Sequence, residues 1–367
     1  MLLLYPFCLY VLVIFDTKGI SSDKAADSDL KLLHIISRHG ARNPDFFYPK
    51  DPHRNYNFIG GLSQLTNLGK LQQYTLGQFL KERYRNFLTS NPKEVYARSS
   101  NIDRTMESAM ALLAGLYPPE SDWIWNKDLK WQPIPVHSVP GKDDSLLNYR
   151  PDCPAVQREY KKLKRSEIMQ AYNRDNQDFF QFLSEETGMD LNEWHGLIRI
   201  NSILEIERQN NLSMPHWATN DVIERLRFNA ALSLSFLYGN TALQRLRGGP
   251  LIAEMINNMQ RKLNGSLENR KIFVYTTHDI ILAAVMSALG IYNNQLPPFS
   301  ATMITELHSH GNENFLRIFY LNSTTPENYQ QEPHLLQIPG CPSDCPLEAF
   351  VNLTKRVVPV DWKKECL

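Results

Sequence analysis

A histidine stands between two arginines in the segment RHGAR at positions 38–42, directly after the apolar run 32–36. Guanidinium groups are permanently charged and can bind phosphate oxygens in a bidentate geometry. A histidine between two of them is a poor general base, because its protonated form is repelled by the neighbouring charges. It is well placed to attack a phosphorus atom whose charge the arginines offset. The segment therefore indicates phosphoryl chemistry, with His39 as the nucleophile and Arg38 and Arg42 as phosphate ligands.

A second histidine, His278, precedes Asp279 far downstream. The preceding run 271–276 is short, β-branched and aromatic, which predicts a strand, and 280–289 is apolar and stops before Gly290, which predicts a helix. Ligands bind outside the carboxyl ends of the strands in open parallel sheets. Since both motifs follow predicted strands, we expect both histidines to face one crevice.

Arg104 lies in a third predicted connection from strand to helix. A strand is predicted at 94–97, and Asp103 can cap the helix that follows. Arg98 and Arg104 both lie in the connection, and Arg104 falls in the first helical turn, where the helix dipole favours an anion. The segment alone is compatible with a solvated arginine or with one aimed at an anion. We take Arg104 as a phosphate ligand.

The motifs resemble those of the histidine phosphatase superfamily, in the branch that includes prostatic, lysosomal and insect venom acid phosphatases. Residues 38–44 match the signature R-H-G-x-R-x-P, and the similarity continues through most of the mature chain. Segments that carry it lie at 48–52, 64–66, 98–105, 131–137, 335–346 and 361–362. In this branch the residue after R-H-G is usually Asp, whereas this chain has Ala41, as in the phytase branch. An inositol-phosphate phosphatase is therefore an open alternative to an acid phosphatase.

The resemblance and the chemistry of these residues imply hydrolysis of phosphate monoesters without a metal or organic cofactor. Three arginines and His278 would bind the non-bridging oxygens, while neutral His39 attacks in line and becomes a phosphohistidine. Asp279 would protonate the leaving alkoxide and then assist water. Neighbouring guanidiniums should lower the pKa of His39, and a bound phosphate should raise the pKa of Asp279, which favours turnover in acid.

Two other functions remain open beside the phytase-like one. A phosphoglycerate mutase-like enzyme also begins with R-H-G, but a signal sequence and the His278-Asp279 pair argue against that cytosolic branch. A secreted binding factor could have kept the fold and lost the chemistry. Every catalytic position is intact here, which argues for the enzyme.

Composition and the N-terminus predict a secreted protein. Basic and acidic residues balance at 39 each, so no global charge would recruit nucleic acid or a membrane surface. Residues 1–20 contain an apolar run that is too short to span a bilayer comfortably, and they are predicted to be a signal peptide. We expect secretion, or alternatively delivery to the lysosomal lumen, with no stable membrane anchor. Four glycosylation sequences begin at Asn211, Asn264, Asn322 and Asn352.

Four cysteines would remain after removal of the signal peptide, and the sequence alone allows three pairings. The resemblance implies one disulfide between Cys341 and Cys345 and another between Cys153 and Cys366. A zinc site at the first pair is the alternative, but His334 is the only nearby histidine.

The order of the predicted elements indicates an α/β fold with an open, mostly parallel sheet flanked by helices. Residues 28–150 and 245–367 would form this phosphatase core. Residues 151–244 lack strand signals and would form a smaller, mainly helical lobe inserted over the crevice. The segment 131–137 resembles the part near the dimer contact of this branch and has the proline-broken character of an edge strand, so we expect a homodimer.

Two amphipathic helices are predicted beside the phosphate motifs. One covers 66–88 and has Leu68 and Leu71 on its apolar side. The other begins near Asp103 and includes Met110 in its apolar stripe. An amphipathic helix turns its apolar stripe toward the core.

Overall fold

The computed structural model describes residues 29–148, 151–322 and 331–367, so the expected signal peptide lies outside the described residues. A single mixed sheet of eight strands forms the centre of this part of the chain. The strands are β1 Asp29–Arg38, β2 Val95–Ser99, β3 Val136–His137, β4 Ile272–Thr277, β5 Thr302–His310, β6 Glu313–Leu321, β7 His334–Leu336 and β8 Cys345–Pro346.

The strands lie in the order β3-β2-β4-β1-β5-β6-β7, and β8 pairs with β6. Strands β3, β2, β4 and β1 are parallel, and the strands from β5 onward pair antiparallel. Arg38 at the end of β1 is in register with Thr277 at the end of β4. On the other side of β4, Thr276 is in register with Ser99 at the end of β2. The carboxyl ends of the three motif-bearing strands therefore meet at one edge. The α/β class is confirmed, and the antiparallel half completes the sheet.

Helices cover both faces of the sheet, which is why β1 is a continuous apolar run and not an alternating one. The helices are α1 Asn67–Arg83, α2 Asp103–Leu116, α3 Pro154–Lys164, α4 Glu167–Asp175, α5 Gln177–Thr187, α6 His195–Gln209, α7 Asn220–Leu237, α8 Thr241–Arg247, α9 Gly249–Leu263, α10 Asp279–Ala288, α11 Leu347–Thr354 and α12 Trp362–Glu365.

Alternate residues of β1 pack against different helices. Leu33 and Ile35 lie in a cluster with residues of α1 and α2, and Leu32 and Ile36 lie in a second cluster with residues of α9 and α10. Burying side chains of this size stabilises the fold by about 1.5–3 kcal/mol each. The core is therefore formed on both sides of the strand that leads into the loop carrying His39.

The apolar stripes predicted for α1 and α2 are wrong at their edges. Leu68 and Leu71 are 39% and 47% exposed, and Met110 is 54% exposed. Only one side of each helix faces the sheet, and residues such as Leu76 of α1 and Leu112 of α2 fill it with no exposure. A stripe read from spacing alone is too wide when two helices also pack against each other.

Helices α3 to α7 lie in sequence between β3 and β4, in the segment predicted to be helical. Side chains from α5, α6 and α7 share a separate apolar cluster with Tyr48 and Trp217. The bounds of this segment as an inserted lobe stay a prediction. Among the described residues, no helix has both the length and the apolar character needed to cross a bilayer.

Two disulfides join the cysteines in the pairing that the resemblance implies. Cys153, just before α3, is bonded to Cys366 at the end of α12. Cys341 is bonded to Cys345 and closes a short loop before α11. The asparagines of the four sequons are all exposed.

Candidate active site

The loop after β1 is pressed against the beginning of α1. A Cβ atom on Gly40 would lie 2.2 Å from the carbonyl oxygen of Gly69, and one on Gly69 would lie 2.1 Å from the carbonyl oxygen of Ala41. Thr66 caps α1 by accepting a hydrogen bond from the Gly69 N–H, and its hydroxyl donates to the Ala41 carbonyl. A larger residue at either glycine would displace the loop that carries His39.

His39 is 2% exposed and has a defined tautomer. Its Nδ1 atom lies 2.8 Å from the carbonyl oxygen of Gly40. Because a carbonyl can only accept, Nδ1 carries the proton and Nε2 keeps its lone pair. Arg104 Nε donates toward that lone pair at 3.4 Å. His39 thus presents an in-plane nucleophilic nitrogen to the side of the site where the guanidiniums lie.

The electrostatic surroundings keep His39 neutral. Burial is the largest cause that lowers its pKa well below 6.5, followed by the charges of Arg38, His278, Arg104 and Arg42. The sequence predicted the direction of this shift but attributed it to the guanidiniums alone. A neutral imidazole is the form that can attack phosphorus.

Arg38 is held from three directions. Its Nη1 atom donates to the Pro297 carbonyl at 2.5 Å, and its Nη2 atom lies 2.9 Å from Oδ2 of Asp279. The guanidinium also lies over the Phe299 ring, 4.2 Å from its centroid. The buried Nε atom has no hydrogen-bond partner among the described residues. This support fixes the cation and uses only two of its five N–H donors.

Arg42 is fixed in a similar way. It donates to the Asn43 carbonyl at 2.8 Å and to Oγ of Ser202 at 3.3 Å, and it pairs with Asp45 at 2.9 Å. Burial lowers its pKa to about 10, so it is still fully charged at physiological pH. Its Nε atom is likewise buried without a partner in the described chain. Ser202 belongs to α6, so the helical segment touches the catalytic loop here.

His278 lies opposite His39, with ring centroids 5.4 Å apart in an edge-to-face arrangement. Its Nε2 atom is 3.1 Å from Oγ of Ser100, which follows β2 and also contacts Thr105 Oγ1 at 2.8 Å. Burial, followed by the charge of Arg104, lowers the pKa of His278 to about 3. His278 is thus a neutral group that is hydrogen-bonded to Ser100, the residue that follows β2.

Asp279 is the first residue of α10, and its Oδ1 atom accepts the Ile280 N–H at 2.8 Å. Burial alone would raise the pKa of this carboxyl. The charge of Arg38, then those of His278 and other neighbours, outweigh burial and hold the pKa below 3.8. In the ligand-free site Asp279 is therefore an ionised partner of Arg38.

The structure brings all six predicted site residues to the same edge of the sheet. Arg98, considered beside Arg104, instead pairs with the fully buried Asp144 at 2.6 Å. Sequence reasoning missed Phe299, Ser202 and Asp45. Asp45 gives a weak signal, because it follows Arg42 by three residues in one loop. The other two come from distant elements, and no motif marks them.

The sequence model of the histidine phosphatase superfamily, branch 2, matches residues 29–321. The chain belongs to this superfamily. Human (Homo sapiens) prostatic acid phosphatase is 39% identical over 347 residues, which cover 92% of this chain and 88% of that protein. Lysosomal acid phosphatase of Xenopus laevis is 33% identical over 364 residues, which cover 98% of this chain and 82% of that protein.

Solved structures of phytases share the fold. The apo form of Hafnia alvei phytase superposes with a TM-score of 0.69 at 19% identity, covering 93% of this chain and 98% of that one. The phytase from Citrobacter braakii gives a TM-score of 0.69 at 19% identity, with coverages of 92% and 99%. At this identity the likeness shows the fold alone.

No three His, Cys, Asp or Glu side chains in residues 29–148, 151–322 and 331–367 are grouped as ligands for a metal ion. The cofactor-free mechanism inferred from the sequence stays a prediction. In that mechanism the three guanidiniums supply the positive charge around the phosphate.

Proposed function

We propose that this protein is an acid phosphomonoesterase that works through a phosphohistidine at His39. The observation that carries the proposal is the unprotonated Nε2 atom of a neutral, buried His39 beside three guanidiniums. The prostatic and lysosomal acid phosphatases among its relatives support the same class of enzyme. Phosphoryl transfer depends chiefly on positioning and charge stabilisation, and this site supplies both.

In the first step the phosphoryl oxygens bind to Arg38, Arg42 and Arg104, with His278 donating a hydrogen bond when its tautomer allows. Nε2 of His39 attacks phosphorus in line, and the bond from phosphorus to the ester oxygen breaks. Protonated Asp279 gives its proton to the leaving oxygen. Water then attacks the phosphohistidine with Asp279 as base, which releases inorganic phosphate and restores His39.

Acid favours this cycle because of Asp279. The carboxyl is ionised in the ligand-free site, where it pairs with Arg38. A bound phosphate dianion competes for Arg38 and repels the carboxylate, so the pKa of Asp279 rises on binding. Low pH supplies the proton that the leaving group needs, while the low pKa of His39 keeps the nucleophile neutral.

Trapping the intermediate tests the proposal. When the reaction with an aryl phosphate labelled in its phosphoryl group is quenched in alkali, a labelled phosphoenzyme should remain. Acid should then release the label. His39→Ala should abolish this phosphoenzyme and nearly all turnover. A His39→Ala variant within tenfold of wild-type activity, about 1.4 kcal/mol in barrier, would contradict the assignment. Asp29→Asn, at the opposite end of β1, is a suitable control because it changes a charge far from the site.

An inositol-phosphate phosphatase is the second candidate, and Ala41 is the observation in its favour. Ala41 is buried in an apolar cluster with Phe58, Ile206 and Phe299, so an aspartate would lose hydration there. Comparing turnover of phytate with that of phenyl phosphate separates the two enzymes. A protein that binds phosphate but forms no phosphoenzyme would be the binding factor.

Assembly and location complete the proposal. Strand β3 lies at one end of the sheet, and the preceding residues Ile124, Trp125 and Trp131 are 50%, 57% and 39% exposed. Exposed apolar residues beside an edge strand support a homodimer. Sedimentation that shows only monomer at micromolar concentration would contradict it. Cleavage of a signal peptide, glycans on the four exposed sequons and secretion or lysosomal delivery are proposed with it.

A further inference from the structure

Asp45 is a carboxylate beside the phosphate ligands that the proposed mechanism does not use. Its Oδ2 atom lies 2.9 Å from Nη2 of Arg42, and its Oδ1 atom accepts a hydrogen bond from Ser63 at 2.9 Å. The side chain of Asp45 is 46% exposed, whereas that of Arg42 is 9% exposed. The carboxylate therefore lies on the solvent side of a buried guanidinium that the proposed mechanism uses to bind phosphate.

The two contacts hold Asp45 in place. Ser63 and Asn43 belong to the same tight arrangement, because Ser63 N–H donates to the Pro44 carbonyl and the Asn43 amide donates to the carbonyls of Ile59 and Gly61. A carboxylate anchored by a cation on one side and a hydroxyl on the other does not turn freely into solvent. Its negative charge is therefore held beside Arg42.

The positive and negative charges around the proposed phosphate site nearly balance. Three guanidiniums face two carboxylates, those of Asp45 and Asp279, and the charge of Asp45 reaches Arg38 as well as Arg42. With both histidines neutral, the group carries one net positive charge. A dianionic phosphoryl group, with Asp279 protonated on binding, already brings the net charge to zero. A second anionic group on the same substrate would meet the field of Asp45 without any compensation from these arginines.

We propose that Asp45 determines specificity, by favouring phosphate monoesters whose leaving group is uncharged over those that carry a second phosphate or a carboxylate. The inference rests on the proposed function, since it concerns the leaving-group side of that site. It sets the substrate class of this chain apart from polyphosphorylated sugars and inositols. Repulsion between like charges a few ångströms apart near a protein surface changes kcat/KM by roughly fivefold to fiftyfold.

A matched pair of substrates tests the proposal with the full chain. Phenyl phosphate and 4-carboxyphenyl phosphate differ by one charge on the leaving group. The ratio of kcat/KM for phenyl phosphate to kcat/KM for 4-carboxyphenyl phosphate should fall by at least about fivefold in Asp45→Asn, with the change mostly in KM. The amide keeps an oxygen for Ser63 but has no charge. Asp45→Glu should retain the wild-type preference. Asp29→Asn, about 30 Å away at the other end of β1, should leave the ratio unchanged.

Salt separates a charge effect from a change in the position of Arg42. The Debye length is about 10 Å at 0.1 M salt and about 3 Å at 1 M, so the difference between wild type and Asp45→Asn should shrink as salt rises. An unchanged ratio in an Asp45→Asn variant that still hydrolyses phenyl phosphate would overturn the inference. So would a salt-independent change, or loss of the preference in Asp45→Glu. If Asp45→Asn does not fold, Asp45→Ser gives the same comparison.

Failure of the proposed function has a different signature. A wild-type protein that hydrolyses neither aryl phosphate is not a phosphomonoesterase, and the inference falls with the proposed function. A wild type that hydrolyses both esters, with a preference that does not depend on Asp45, refutes the specificity role and leaves the enzyme assignment intact.

Discussion

The buried carboxyl pair Asp51–Glu207 should make the stability of this protein fall as the pH rises. Asp51 follows the catalytic loop and is 2% exposed, and Glu207 lies on α6 and is 1% exposed. Burial, then the charge of the neighbouring Asp51, raises the pKa of Glu207 to about 8. Burial also raises the pKa of Asp51, although His53 and Arg54 oppose the shift. The Tyr48 hydroxyl, whose own pKa is raised, lies within electrostatic range of both.

The direction follows from proton linkage. A carboxyl with a higher pKa in the folded state binds its proton more tightly when folded, so the folded chain holds more protons than the unfolded chain between pH 4.5 and about 8. The stabilisation is complete below pH 4.5 and is lost as the pH rises through that window. Each pKa unit is worth about 1.36 kcal/mol, which gives roughly 5 kcal/mol as an upper bound. With an unfolding entropy of about 2.1 cal/mol/K per residue, that is about 6 °C in melting temperature.

Glu207→Gln isolates this contribution. Glutamine has the shape of the protonated acid and can donate to Asp51, but it cannot ionise. Melting temperatures of wild type and variant, measured at half-unit steps from pH 4.5 to 8, should diverge steadily, with the variant gaining about 6 °C on wild type over the window. The exposed Glu224, on α7, is the matched control, and Glu224→Gln should show a constant difference. A constant difference for Glu207→Gln would refute the reasoning.

Three further predictions concern the site. Arg104→Ala should weaken vanadate binding by about 1.5–3 kcal/mol, measured by inhibition of turnover, and Arg98→Ala should not, because Arg98 pairs with a carboxylate elsewhere. Asp279→Asn should lose far more activity on glycerol phosphate than on nitrophenyl phosphate, because nitrophenolate leaves without a proton; equal losses would reject the acid role. Phe299→Leu should cost about 0.5–2 kcal/mol in phosphate affinity by releasing Arg38, and an unchanged inhibition constant would contradict that support.

The sequence was most informative where a local pattern fixes a place in the fold. His39 and His278 each follow a short apolar strand, and parallel strands put their carboxyl ends at one edge. Those two facts were enough to predict that both histidines share a crevice. Arg104 was assigned on weaker grounds, since its segment was also compatible with a solvated arginine. Its contact with His39 depends on β2 lying beside β4, which no local pattern records.

The residues that support the arginines could not be predicted in this way. Phe299 lies in the segment before β5, and β5 is placed beside β1 by the antiparallel half of the sheet. Ser202 reaches Arg42 from α6, more than 150 residues along the chain. Such contacts arise from tertiary packing of elements whose own sequences carry no chemistry. The exposed Leu68 and Met110 fail for a related reason, because spacing gives the direction of a stripe but not the width that neighbouring helices cover.

Carboxylates hold two of the three site arginines in place, and this explains how one site can serve both a nucleophile and an acid. Arg38 pairs with Asp279, whose pKa is lowered, while burial and the surrounding charges hold the pKa of His39 lower than usual as well. In the proposed mechanism, a bound phosphate changes the two in different ways. It takes over Arg38, so Asp279 loses its partner, gains a negative neighbour and binds a proton. His39 remains buried and neutral until it forms the bond to phosphorus. We therefore propose that the acid preference comes from a carboxyl that substrate binding itself converts into an acid.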